Sequence, residues 1–154
     1  MSKKSIRILL CTAVIMLIGY TNIFRVNIIQ GESMMPTLKK HQLALGSRLG
    51  ELERGDIIVA ERIDEDEGKI LVIKRIVGLP GETVYHKDGK TYINGEVLEE
   101  PYAIEDPYAW GKYEIGEDEY FICGDNRENS YDSRYYGPIK ASQIKQRIFF
   151  KGFN

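Results

Sequence analysis

Hydrophobic and polar positions divide this chain into one long apolar run and a succession of short ones. Ile8 to Phe24 is almost wholly apolar, with Ile8-Leu9-Leu10-Cys11 and Ala13 to Ile18 at its centre. That is near the short end of the ~17–25 residues that cross a bilayer as a helix. After Arg25 the apolar runs are strand-sized and bounded by turn formers. Val26, Ile28 and Ile29 either begin a first strand or touch lipid, and Gln42 to Leu49 reads as a short strand and loop. Ile57 to Ala60 follows the turn Glu53-Arg54-Gly55-Asp56, and Ile70 to Val77 ends at the breaker Gly78-Leu79-Pro80-Gly81. Val84 to His86 and Thr91 to Ile93 flank Asp88-Gly89, and Asn94-Gly95 comes next; such dipeptides between β-formers signal hairpins. Glu99 to Glu119 is rich in Pro, Gly, Tyr and acids and reads as an irregular excursion. Tyr120 to Cys123 is one more strand, Ala141 to Gln143 a helical turn, and Arg147 to Phe150 a last strand. The expected fold is mainly β, with one transmembrane helix before it: residues 1–25 as basic tip and anchor, residues 26–154 as a β domain.

Charge refines the reading of the N-terminal run. Lys3, Lys4 and Arg7 precede it, only Arg25 follows closely, and no acid stands among these residues. A cleaved leader is the first alternative, but Tyr20 to Val26 is bulky where a cleavage site needs small residues. A buried core helix is the second, but the basic flank and the missing polar face speak against it. An uncleaved signal-anchor fits better, and the positive-inside bias puts the N-terminus in the cytoplasm and the β domain outside. The expected location is the cell membrane, single-pass, with lipid as a partner. Ser33 stands eight positions after Arg25, a reach of at most ~28 Å, so Ser33 works close to the membrane surface.

The formal net charge is −2, and with the N-terminal cations set aside the β domain is acidic, which argues against nucleic acid as a partner. Cys11 and Cys123 are the only cysteines. Their spacing gives neither a disulfide framework nor a metal or redox motif. Asp64 to Gly68 is acidic but lacks the spacing and distant Glu of a calcium loop. No metal and no cofactor are expected.

Candidate chemistry lies in separate stretches. Ser33 stands before Met34-Met35-Pro36-Thr37-Leu38; Pro36 fixes its own φ and pushes Met35 out of the helical region, which presents Ser33 on a stiff corner. Lys74 and Arg75 interrupt an apolar strand, Lys74 on one face with Val72 and Ile76, Arg75 on the other with Ile73 and Val77. Charges of this kind guard edge strands, but a buried lysine also loses its proton more readily. Gly124 to Arg134 is a dense polar loop carrying Asp125, Arg127, Asp132 and Arg134. A serine becomes nucleophilic only when a base takes its proton. The histidines, His41 and His86, both stand in turn-like contexts and leave a Ser-His-Asp arrangement open. A neutral Lys74 is the other candidate, since Ser-Lys pairs are a known variant.

Ser33 to Leu38, Arg54-Gly55-Asp56-Ile57-Ile58, Lys74 to Glu82, and Gly124-Asp125-Asn126-Arg127 through Asp132-Ser133-Arg134 resemble, in order and spacing, the signature boxes of bacterial type I signal peptidases. The resemblance covers most of the chain. It implies a β-fold shared with LexA-like proteases, and a membrane-bound serine endopeptidase that removes signal peptides from exported preproteins after small-x-small sequences. By that likeness Ser33 is the nucleophile, Lys74 the general base, and Ser130 orients Lys74. Arg75, Asp125, Asp132 and Arg134 hold the loop by ion pairs, and the Ser33 backbone N–H contributes to the oxyanion hole. Some members carry a serine two residues before the nucleophile as a second oxyanion donor; here that residue is Gly31. Residues 83–120 correspond to a minimal second β-region, as in the shorter, single-anchor forms. Met34, Val72 and Ile76 are expected to wall shallow substrate pockets.

Two other functions fit the same stretches. A self-cleaving protease of the LexA type shares the fold and the Ser-Lys pair but has a DNA-binding domain where this chain has an apolar run. An inert anchored domain that binds exported peptides is the other.

Overall fold

The computed structural model describes residues 5–7, 9–12, 23–64, 66, 68–104 and 109–152. Most of the apolar N-terminal run, residues 13–22, lies outside them, as does the anchor expected there. Among the described residues no helix is long and apolar enough to cross a membrane.

The chain is mainly β. Its strands are β1 (Phe24–Ile28), β2 (Leu43–Ser47), β3 (Ile57–Asp64), β4 (Gly68–Gly78), β5 (Thr83–Lys87), β6 (Lys90–Ile93), β7 (Glu96–Leu98), β8 (Trp110–Glu114), β9 (Glu119–Cys123), β10 (Ile139–Lys140) and β11 (Ile144–Lys151). The larger sheet runs β1-β2-β11-β3-β4-β9-β10 and the smaller β7-β6-β5-β8. Among the described residues, every pairing between these strands is antiparallel. The first strand opens at Phe24, and Val26 and Ile28 both belong to it and are exposed. The excursion is more ordered than its composition suggests: Trp110–Glu114 forms β8 and pairs with β5. Trp110 stacks on His86 and on Phe121, which ties the small sheet to the large one.

β4 is the element on which the site depends. Its β-branched residues suit a pleated, half-buried surface, and it pairs with β3 from Gly68 to Arg75. On its other side it meets β9 only from Arg75 onward. Among the described residues, the β9-side edge of residues 68–74 therefore carries no strand. Past Arg75 the strand is enclosed. Ile76 packs with Ile58, Ala60, Ile122 and Ile139 on one side, and Val77 with Val84, Ile115, Phe121 and Cys123 on the other. A third cluster, Ile29, Met34, Leu38, Ala44, Ile57, Val59 and Ile148, closes the opposite side of the large sheet. Each such fully buried aliphatic or aromatic side chain contributes roughly 1.5–3 kcal/mol over an exposed one.

Candidate active site

Ser33 lies in a turn closed by Met35 N–H donating to the Glu32 carbonyl (3.0 Å) and Leu38 N–H to the Met34 carbonyl (2.8 Å). Met34 and Leu38 are buried in the core and hold the turn down. The Ser33 carbonyl accepts from the Asn126 N–H at 2.9 Å, so the turn is fastened to the 124–134 loop.

Lys74 reaches this corner from the strand. Its Nζ is 2.8 Å from Ser33 Oγ, and the residue is only 5% exposed. Burial lowers its pKa from the ordinary lysine value of 10.5, while the charge of Asp132 opposes that shift. The amine is thus easier to deprotonate than a surface lysine, and it sits within hydrogen-bond reach of a hydroxyl.

The loop behind the pair is a network of buried charges. Ser130 Oγ donates to Asp132 Oδ2 (2.6 Å), which leaves the hydroxyl lone pairs as acceptors. Asp132 also receives Gly124 N–H on Oδ2 (3.0 Å), Arg134 Nε on Oδ1 (2.8 Å) and Arg134 Nη2 on Oδ2 (2.9 Å). Arg75 grips Asp125 with two nitrogens, Nε at 2.8 Å and Nη2 at 2.6 Å, and donates to the Gly55 carbonyl at 2.7 Å. Gly124 packs so tightly on the Ser130 side chain and the Ser33 carbonyl that a Cβ would collide with both. Only glycine lets the loop approach this closely.

A cleft of about 640 Å³ opens beside the pair. Its walls are Val26 to Gly31 on one side and Leu71 to Lys74 on the other, with Ser33, Met34 and Val59 between them. Met34 and Val72 are among the residues that line it. Ile76 does not: it is fully buried, because β9 covers β4 from Arg75 onward. Ile73 and Ile29 also line the cleft.

Both histidines lie elsewhere in the fold. His41 is exposed in a left-handed turn position. His86, expected in a turn, is buried on β5 between Thr91 and Trp110. Sequence reasoning also missed the pairing of Arg127 with Glu100, at 2.7 and 3.1 Å. Burial pushes the Glu100 carboxyl up, but the hydrogen bonds and charge of Arg127 outweigh it and hold the group below its ordinary value. No local pattern links two residues so far apart in the chain.

The family model for signal peptidase, peptidase S26, matches residues 2–153. This chain belongs to the signal peptidase family. Its enzyme class is therefore serine endopeptidase. The chain is 38% identical over 149 residues to a probable signal peptidase I-2 of Synechocystis sp., a match covering 91% of this chain and 68% of the relative. It is 34% identical over 164 residues to a signal peptidase I of Bacillus licheniformis, covering 94% and 87%. Among solved structures, a signal peptidase I of Enterococcus faecalis V583 matches with a TM-score of 0.55 and 30% identity, over 66% of this chain and 99% of that one.

Proposed function

We propose that this protein removes signal peptides from exported preproteins, with Ser33 as nucleophile and Lys74 as general base. The observation that carries the reading is the 2.8 Å contact between the buried Lys74 amine and Ser33 Oγ at the side of a cleft of mixed polar and apolar lining. Neutral Lys74 takes the hydroxyl proton as Oγ attacks the scissile carbonyl, and then gives that proton to the leaving amine. Water, deprotonated by the same amine, releases the acyl group and regenerates the serine. The Ser33 N–H stabilises the oxyanion. Ser130, whose own proton goes to Asp132, is assigned the role of orienting the Lys74 amine. The Arg75–Asp125 and Arg134–Asp132 pairs keep the loop in register. No step calls for a metal or a cofactor.

The substrate enters extended, against the uncovered edge of β4 at residues 68–74. Alternate side chains then face the shallow hollow made by Met34, Ile29 and Ile73. Small residues at the first and third positions before the cut fit there, while the middle one points the other way.

The N-terminal run serves as a single membrane anchor, with its basic end in the cytoplasm and the β domain outside. A second feature supports work at a membrane. In the pairing register Val26, Ile28, Leu43, Leu45 and Phe150 share one face, and all but Leu45 are exposed. Such a patch suits contact with lipid.

The test is cleavage in trans of a purified preprotein by the full chain in detergent, beside Ser33→Ala. Cleavage at a small-x-small site that is lost in the variant supports the reading. Cleavage of the chain itself alone points to a LexA-type protease, and binding without cleavage to an inert peptide receptor.

A further inference from the structure

Between β7 and β8 the chain from Glu100 to Ile104 lies along the outer side of the loop that fastens Ser33. We infer that Glu100 and Tyr102 are positioning residues for the nucleophile, clamping residues 124–126 against the Ser33 carbonyl. The inference rests on Ser33 being the nucleophile, as proposed above.

The contacts form a continuous path. Glu100 accepts from both terminal nitrogens of Arg127, and Arg127 Nε donates to the Gly124 carbonyl at 2.9 Å. The Ile104 N–H donates to the Asp125 carbonyl at 2.8 Å, and Ile104 forms a parallel bridge with Asn126. The Tyr102 ring covers the Arg75 guanidinium, with 4.0 Å from its carbon to the ring centre, and Arg75 holds the Asp125 carboxylate. The Tyr102 hydroxyl donates back to Glu100 at 3.1 Å. On the inner side the same peptide units meet the nucleophile: Asn126 N–H donates to the Ser33 carbonyl, and Gly124 touches that carbonyl and the Ser130 side chain.

Residues 124–126 are therefore held from both sides, by the Ser33 turn within and by residues 100–104 without. Arg127 is 3% exposed, so loss of the Glu100 charge leaves a buried cation to find a new partner. Its Nε bond to Gly124 would then loosen, and the Ser33 carbonyl with it. A shift of about 1 Å in a reacting group costs on the order of 100-fold in rate.

The test uses full-length protein in detergent and a peptide spanning a small-x-small cleavage site, comparing the parent with Glu100→Gln, Tyr102→Ala and Tyr102→Phe. Rates are taken per folded molecule, well below each variant's Tm. Glu100→Gln and Tyr102→Ala are expected to lower kcat by roughly 10- to 100-fold with KM within about twofold, while Tyr102→Phe, which keeps the ring, stays near the parent. Unchanged kcat per folded molecule in both, with only Tm reduced, would overturn the inference and reduce the segment to a stabilising role. Tyr102→Ala leaves the Glu100–Arg127 pair in place, so it decides the matter if Glu100→Gln fails to fold. Parent cleavage that disappears in Ser33→Ala upholds the functional reading whatever these variants do. A parent that does not cleave sinks both.

Discussion

Lys74 and Arg75 are neighbours on one strand with opposite partners: Lys74 Nζ meets the hydroxyl of Ser33, whereas Arg75 is locked to the carboxylate of Asp125. The pleat of β4 sends them to different faces, one chemically responsive and one fixed.

The responsive member sets the pH dependence. As the proposed general base Lys74 must be neutral to act, and burial places its pKa below 10.5. Cleavage should rise with pH through a limb centred below that value and fall away on the acid side. Lys74→Arg, charged at every working pH, should be inactive. The linkage has a definite sign. Between its folded pKa and 10.5, Lys74 binds more protons unfolded than folded, so parent stability rises with pH across that window. Lys74→Met should be inactive yet more stable than the parent at neutral pH, with the advantage shrinking as pH climbs. Thermal melts at a series of pH values check this, and a constant difference would refute it.

The fixed member sets stability. Asp125 is fully buried and Arg75 nearly so. Asp125→Asn leaves a buried guanidinium without its counter-charge, at a cost of about 3–5 kcal/mol. A fall in Tm of about 10 °C is expected. A change within a degree or two would mean that the Gly55 carbonyl and the Thr37 hydroxyl, which accepts from Arg75 Nη2 at 3.3 Å, satisfy Arg75 unaided.

Gly31 offers a gain of function. A Cβ built there meets nothing within 4 Å, and the residue lines the cleft two positions before Ser33. Gly31→Ser adds a hydroxyl donor near the expected oxyanion. Loss of one such donor costs about 10²–10³ in other hydrolases, so a rise in kcat of about tenfold is a modest expectation. Gly31→Ala is the control and should give none.

On the proposed reading, Met34 limits substrate size. It is buried at the base of the cleft, and Met34→Ala should deepen the hollow at a stability cost of about 2–5 kcal/mol. Peptides with Val or Leu at the first position before the cut should gain at least about tenfold in kcat/KM relative to Ala. Gain at the middle position instead would mean that the extended pose is wrong.

The hairpins, the apolar strand interrupted by Lys74-Arg75, and the polar loop could all be read from local patterns, because alternation and turn chemistry are local properties. Ile76 was misplaced because alternation gives the face of a strand but not where a neighbouring strand begins to cover it. The local pattern leaves β8 unmarked, within a stretch that the family likeness alone reads as β, because Trp110 to Glu114 has little apolar alternation; it gains its order from pairing with β5 and from the stacking of Trp110. His86 reads as a turn residue beside Asp88-Gly89, yet the small sheet turns it inward. The Glu100–Arg127 pair depends on the path of the whole excursion, which no short window of sequence describes.

The sheet order has a consequence for when the protein can become active. β11, from Ile144 to Lys151, is not a terminal flap; it lies between β2 and β3. Within the sheet it is the link between the half that carries the Ser33 turn and the half that carries Lys74. A ribosome-bound chain that has not yet released β11 can form the β3–β4 and β5–β6 hairpins but cannot join these halves through the sheet. Such late, long-range closure is slow compared with local pairing. If Ser33 and Lys74 act as proposed, a nascent copy would therefore stay inactive until β11 has joined the two halves.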